Sequence, residues 1–271
     1  MKFIITSKAS LGSNLHASFR RLLVLPVAAS LLIAGADAQA ITIITPNGQA
    51  SVEGGSDNVF PFSLGQDAGE VPSGTQRYQQ VYSASDFGAL SPGGEFITRI
   101  AFRPDAVHGS AFAATLSGIR IDLSTATVSP DALGTTFASN VGANDTIVYG
   151  GATGAALSLS SAYTGPAGGP KAFDIIINLT TPFFYNPAAG NLLLDVRNFG
   201  GGSTTPLNTE STVGDSVSRA YTMPSGVGSA TADGTDSGGL VTEFITAVPE
   251  PSTMALAGLG AAALAISRRR R

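Results

Sequence analysis

From residue 39 to residue 247 the dominant pattern along the chain is period two. In Ile119-Arg120-Ile121-Asp122-Leu123-Ser124 apolar and polar residues alternate without a fault, and Phe173-Asp174-Ile175-Ile176-Ile177-Asn178-Leu179 does nearly the same. Successive side chains of an extended backbone point to opposite faces, so this alternation predicts strands with one face on a core and one in solvent. Residues 77–82, 96–103, 146–149, 192–199 and 241–246 follow the pattern less strictly, each bounded by Gly, Pro, Asn or Ser. No ten-residue stretch in this segment carries apolar residues at helical spacing. Seven to ten strands without intervening helices predict an all-β single domain, an antiparallel β-sandwich or jelly roll. No repeat of fixed period points to a solenoid or propeller. Polar, Gly-rich residues 47–59, 200–205 and 224–239 read as loops.

Both ends break this pattern. Lys2, Lys8, Arg20 and Arg21 precede an apolar run over residues 22–35, which closes on Ala36-Asp37-Ala38. A basic region, an apolar region and a small-x-small site make residues 1–38 a secretory signal peptide, cut after Ala38 or Ala40 by a signal peptidase of the export machinery. At the other end, Val248-Pro249-Glu250-Pro251-Ser252 leads into residues 253–266, which carry no charge, and then into Ser267 and the basic tail Arg268, Arg269, Arg270 and Arg271. This three-part order resembles the PEP-CTERM sorting signal. The resemblance implies an exosortase, a membrane transpeptidase, as partner, in the envelope of a Gram-negative-type bacterium that makes exopolysaccharide.

The same residues carry a physical reading. Fourteen apolar residues rise only about 21 Å as a helix, against a hydrocarbon core of about 30 Å, so a transmembrane helix over 253–266 is a weak anchor. Four flanking arginines place that flank in the cytoplasm. Two prolines keep the Pro-Glu-Pro segment extended and open to an enzyme.

Composition narrows the remaining segment. The chain has 271 residues, no Cys and no Trp, and 13% charged residues. Lack of Cys excludes a disulfide scaffold, Cys-ligated metal and a thiol nucleophile. Without its two ends the chain keeps seven basic and seventeen acidic residues, a formal charge of −10. Nucleic acid is excluded as a partner, because binding it needs a basic footprint.

Candidate chemistry is sparse. Gly214-Asp215-Ser216, Gly142-Ala143-Asn144-Asp145 and Asp105-Ala106-Val107-His108 resemble blocks of the SGNH esterases, but in reversed chain order. His108 is the sole histidine after the signal peptide, which excludes a multi-histidine metal site and reads as an exposed turn. Asp233-Gly234-Thr235-Asp236 is the best stretch for Ca²⁺, although its acids are not at alternate positions. Phe183-Phe184-Tyr185 is expected to plug one end of the core, and Tyr78, Gln79, Gln80 and Tyr82 offer a sugar-stacking face as the alternative. Gly150-Gly151-Ala152-Thr153-Gly154 reads as a turn rather than a phosphate cradle. No catalytic, cofactor or metal residue is assigned, and no enzyme is expected. The sequence therefore predicts an exported surface or exopolysaccharide-matrix protein, anchored transiently through its C-terminal helix, with a structural or interaction role. A carbohydrate-binding module and a secreted hydrolase stand as alternatives.

Overall fold

The structure is a computed structural model and describes residues 40–64 and 74–247. Residues 1–38, expected to be a signal peptide, residues Val248 to Pro251 of the sorting motif, the apolar run and the arginine tail lie outside the described residues. Within them, fourteen strands pair in antiparallel fashion and the longest helical element has four residues. The strands are β1 (Thr42–Thr45), β2 (Ser56–Asn58), β3 (Gln76–Tyr82), β4 (Glu95–Phe102), β5 (Phe112–Ala126), β6 (Thr146–Tyr149), β7 (Ala155–Ser161), β8 (Ile175–Tyr185), β9 (Asn191–Asn198), β10 (Leu207–Glu210), β11 (Val217–Tyr221), β12 (Gly234–Asp236), β13 (Gly239–Leu240) and β14 (Thr242–Ala247).

They form three sheets. A four-stranded sheet has the order β1-β14-β4-β8, a three-stranded one β13-β10-β2, and a seven-stranded one β12-β11-β3-β9-β5-β6, with β7 also pairing β5. All seven stretches with period-two pattern contain strands, and the described residues are all-β as expected. The strands that the pattern missed are short or carry few large apolar residues. In β7, Ala-Ala-Leu-Ser-Leu-Ser-Ser buries only Leu157, Leu159 and Ser161. β2, β12 and the start of β13 arise inside stretches that read as loops, because their pairing comes from distant partners such as β10 and β11. Between β6 and β7 the glycine turn is confirmed: Gly150 has φ +85°, and a Cβ there would lie 1.9 Å from the Ile119 carbonyl oxygen.

The inner faces of the four- and seven-stranded sheets share one apolar core. Tyr82 of β3 packs edge-on against Phe244 of β14 with ring centroids 5.0 Å apart, and its hydroxyl pairs with Thr242 Oγ1 at 2.9 Å. Phe87, from the helical turn Ala84–Phe87, lies against both Phe244 and Tyr185. Phe183 and Tyr185 are buried as an end plug, but Phe184 between them points outward because period two forces it to.

One expectation needs correction. The alternating residues of β5 predict a half-buried strand, yet Asp122 and Ser124 are buried as completely as Ile121 and Leu123. Residues 127–145 fold back over the outer face of the large sheet, where Leu133 and Phe137 cover Val81, Ala126, Leu193 and Ala220 in a second apolar cluster.

Candidate functional site

Under that cover lies a charged lattice built by strand register. Arg77 of β3 stands opposite Arg197 of β9, which stands opposite Arg120 of β5; one step along, Gln79, Asp195 and Asp122 form the neighbouring row. Each residue follows its partner at spacing i, i+2, so all six side chains share one face. Like charges directly opposite each other destabilise a sheet, and the two rows offset this by pairing along the strands. Arg77 holds Asp195 through Nε at 3.1 Å and Nη2 at 2.5 Å, Arg120 holds Asp122 through Nε at 2.8 Å, and Arg197 reaches Asp195 at 3.7 Å.

The lattice also grips the covering segment. Gln79 Nε2 donates to Asp195 and to the Phe137 carbonyl, Asn140 Nδ2 donates to Gln79 Oε1, and the Arg77 guanidinium sits 4.6 Å from the centre of the Phe137 ring. Burial raises the Asp122 carboxyl above its ordinary range, against the pull of Arg120. Burial, with the charges of Asp122 and Asp195, raises Asp145 as well. A buried pair of opposed acids is the kind of group that can carry acid–base chemistry. Here the side chains of Asp122 and Asp195 are only 1% and 3% exposed and each is bound to arginine. Spacing within the strands was legible in Arg120-x-Asp122 and Asp195-x-Arg197, but the rows appear only once strand register is known.

The candidate residues read from sequence are dispersed. Ser216 Oγ donates to Asp86 Oδ2 at 2.5 Å, and the same oxygen accepts from Thr45 Oγ1 at 2.6 Å. Ser216 lines a surface hollow of about 460 Å³ with Asp131, Asp215 and Asn191, and no histidine lines it. Its neighbour Asp215 is pushed up to about 6 by burial, with the charges of Glu210 and Asp131 adding. His108 instead stands 63% exposed, with Nδ1 3.3 Å from Asp57 and 3.5 Å from Asp105. Asn144 is used locally, its Oδ1 accepting the Thr125 N–H. The three esterase-like blocks therefore assemble no triad.

In the acidic stretch, Asp236 is engaged by Arg219, and Asp233 Oδ2 accepts from Met223 N, Ser225 N and Ser225 Oγ. Among the described residues, no group of three or more His, Asp or Glu could hold a metal ion. Tyr78, Gln79, Gln80 and Tyr82 are fully buried, which corrects the idea of a sugar-stacking face there. Tyr78 Oη donates to Gln80 Oε1, and Gln80 Nε2 donates to the Leu240 carbonyl, so these polar tips are consumed inside the protein.

The remaining site lies where β14 ends. Ala247 is the last described residue, and no helix among the described residues is long and apolar enough to cross a membrane. No curated protein and no solved structure matches the chain. The family model of the PEP-CTERM protein-sorting motif matches residues 247–271. The last strand of the fold thus runs directly into a sorting signal, and the chain carries the motif that marks proteins for exosortase-dependent export.

Proposed function

We propose that the chain is an exported surface or exopolysaccharide-matrix protein with a structural or interaction role and no catalytic one. In this reading residues 1–38 are a signal peptide, residues 39–247 a β-sandwich domain, and residues 248–271 a sorting signal whose apolar run anchors the precursor in the inner membrane. Val248, Pro249, Glu250 and Pro251 are what the exosortase reads, and Arg268 to Arg271 hold the tail on the cytoplasmic side. The observation that carries the proposal is the sorting-motif match at residues 247–271, joined without a linker domain to β14. The non-catalytic part draws support from the acids of the large sheet, which are consumed by arginines, and from the scatter of the esterase-like blocks.

The test is to replace Pro249, Glu250 and Pro251 together by alanine in the native host. Insertion and orientation survive, because the apolar run and arginines are untouched. Unprocessed protein then accumulates in the inner membrane, and intact mass spectrometry finds the arginine tail still attached. Release as efficient as that of the parent chain would show that the motif is incidental.

A further inference from the structure

The two ends of the described chain leave the fold side by side. Thr42 of β1 lies opposite Ile245 of β14, and the Thr246 N–H donates to the Ile41 carbonyl at 2.9 Å. At that end of the four-stranded sheet Ala247 is opposite Phe96, which is opposite Phe184. These three side chains form a row on the outer face, away from the core. Phe96 and Phe184 pack edge to face with centroids 5.2 Å apart, and Phe184 is 46% exposed.

Exposed charge is sparse at this end, where the nearest charged side chains are Arg99, opposite Ile245, and Glu243, opposite Ile44. Residues 40–44, 88–98, 183–190 and 245–247 contain one ionisable side chain that carries charge at neutral pH, Glu95. Glu95 is fully buried and accepts from Ser91 N, Ser91 Oγ and Thr246 Oγ1. Burial pushes its carboxyl up, and those hydrogen bonds outweigh burial and hold it below the usual range. A segment with a formal charge of −10 therefore presents one end with little exposed charge, and that end bears an aromatic pair of which Phe184 is exposed and Phe96 half-buried.

We propose that this end of the four-stranded sheet is the bilayer-facing surface of the anchored precursor, with Phe184 and Phe96 seated at the lipid interface. The proposal rests on the membrane-anchored intermediate of the preceding section. Only residues 248–252 separate Ala247 from the apolar run, and six extended steps span at most about 20 Å. The row is thus tethered within that distance of the headgroups. Anionic lipids repel the carboxylate-rich remainder of the domain, whereas the end with little exposed charge approaches at a smaller cost. Aromatic side chains at such a surface bury their rings in the headgroup and acyl boundary.

The chain has no Trp, so a single introduced tryptophan reports its own surroundings. The full-length variants Phe184→Trp and Phe199→Trp are reconstituted into vesicles of phosphatidylethanolamine and phosphatidylglycerol, with or without bromine on the acyl chains. Phe199 is the control: it is 36% exposed and follows β9, whose first residue adjoins the Gly190 that binds the Tyr185 hydroxyl. The emission of Phe184→Trp should shift to the blue and lose most of its intensity in brominated vesicles, while Phe199→Trp keeps its intensity. Phe96→Trp serves as the second reporter if the first disturbs folding. Unquenched emission from chains that float with the vesicles overturns the proposal and leaves the anchor standing. A blue shift without quenching gives the row to a second copy or to the chain's own tail, and equal quenching of both variants removes the orientation; either result overturns it. Chains that fail to float refute the anchored intermediate itself.

Discussion

The two main sheets share a core but treat their outer faces differently. On the seven-stranded sheet the outer face is covered by residues 127–145 and filled with paired charges, so that even Asp122 and Asp195 are buried. On the four-stranded sheet the outer face stays open, and its side chains include Phe96, Phe184, Ile176 and Ile245. The polar set of strand positions is thus buried where a loop returns over it, and a mixed set, with Arg99 and Glu243 among the apolar residues, stays open where none does. The contrast teaches that the charged lattice serves packing, because its partners are all internal. On the open sheet Phe96 and Phe184 pack against each other, and no loop covers the pair.

Several substitutions would break or sharpen this contrast. The largest effect is expected at Phe137, which is fully buried against Val81 and Leu193. Phe137→Ala should lower unfolding free energy by about 3–5 kcal/mol, measured by denaturant titration of a segment covering residues 39–247, and it should speed hydrogen exchange in residues 127–145. A loss below that range would mean that the cover is peripheral. Next comes Arg77→Ala, which leaves the buried Asp195 with Gln79 and the distant Arg197 alone. The expected loss is about 3 kcal/mol, since stripping one partner from a buried pair strands the other charge. Adding Asp195→Asn to that variant should recover part of the loss, and no recovery would show that the cost lies in packing.

Asp215, two residues before β11, tests an acid beside the large sheet that has no cation. Its folded value of about 6 lies above the ordinary 3.8, so the native state favours the protonated form. Its contribution is stabilising at low pH and is lost as pH rises through about 6. Asp215→Asn should therefore gain about 1 kcal/mol over the parent above that pH, after allowance for solvent screening, and nothing below 3.8. A constant difference across the range would point to a lost hydrogen bond instead. The smallest effect belongs to the open sheet: Phe184→Ser should change stability by less than about 1 kcal/mol, because nearly half of the residue is already in water and the rest rests on Phe96 alone among ring partners. A thermal midpoint that drops as far as for Phe137→Ala would mean that the open face is a structural one.

Much of the fold was legible in the chain. Alternation in residues such as Ile119, Ile121 and Leu123 marked the core face, because a pleated backbone has a period of two whatever it packs against. The sorting end was legible for the same local reason: a Pro-Glu-Pro segment, an uncharged run and four arginines act through their order in sequence. By itself, then, the sequence determined an all-β chain and its exosortase-directed end. What it could not determine was which polar residues meet. Asp122 and Arg120 look like a solvent face, and Tyr78 and Tyr82 like a sugar platform. Burial of the first two depends on a covering loop, and burial of the tyrosines on a second sheet. Register decided the arginine row, and the antiparallel pairing of β1 with β14 brought the two ends of the described chain side by side. Those are relations between residues far apart in sequence, fixed by closure of the tertiary fold rather than by any local pattern.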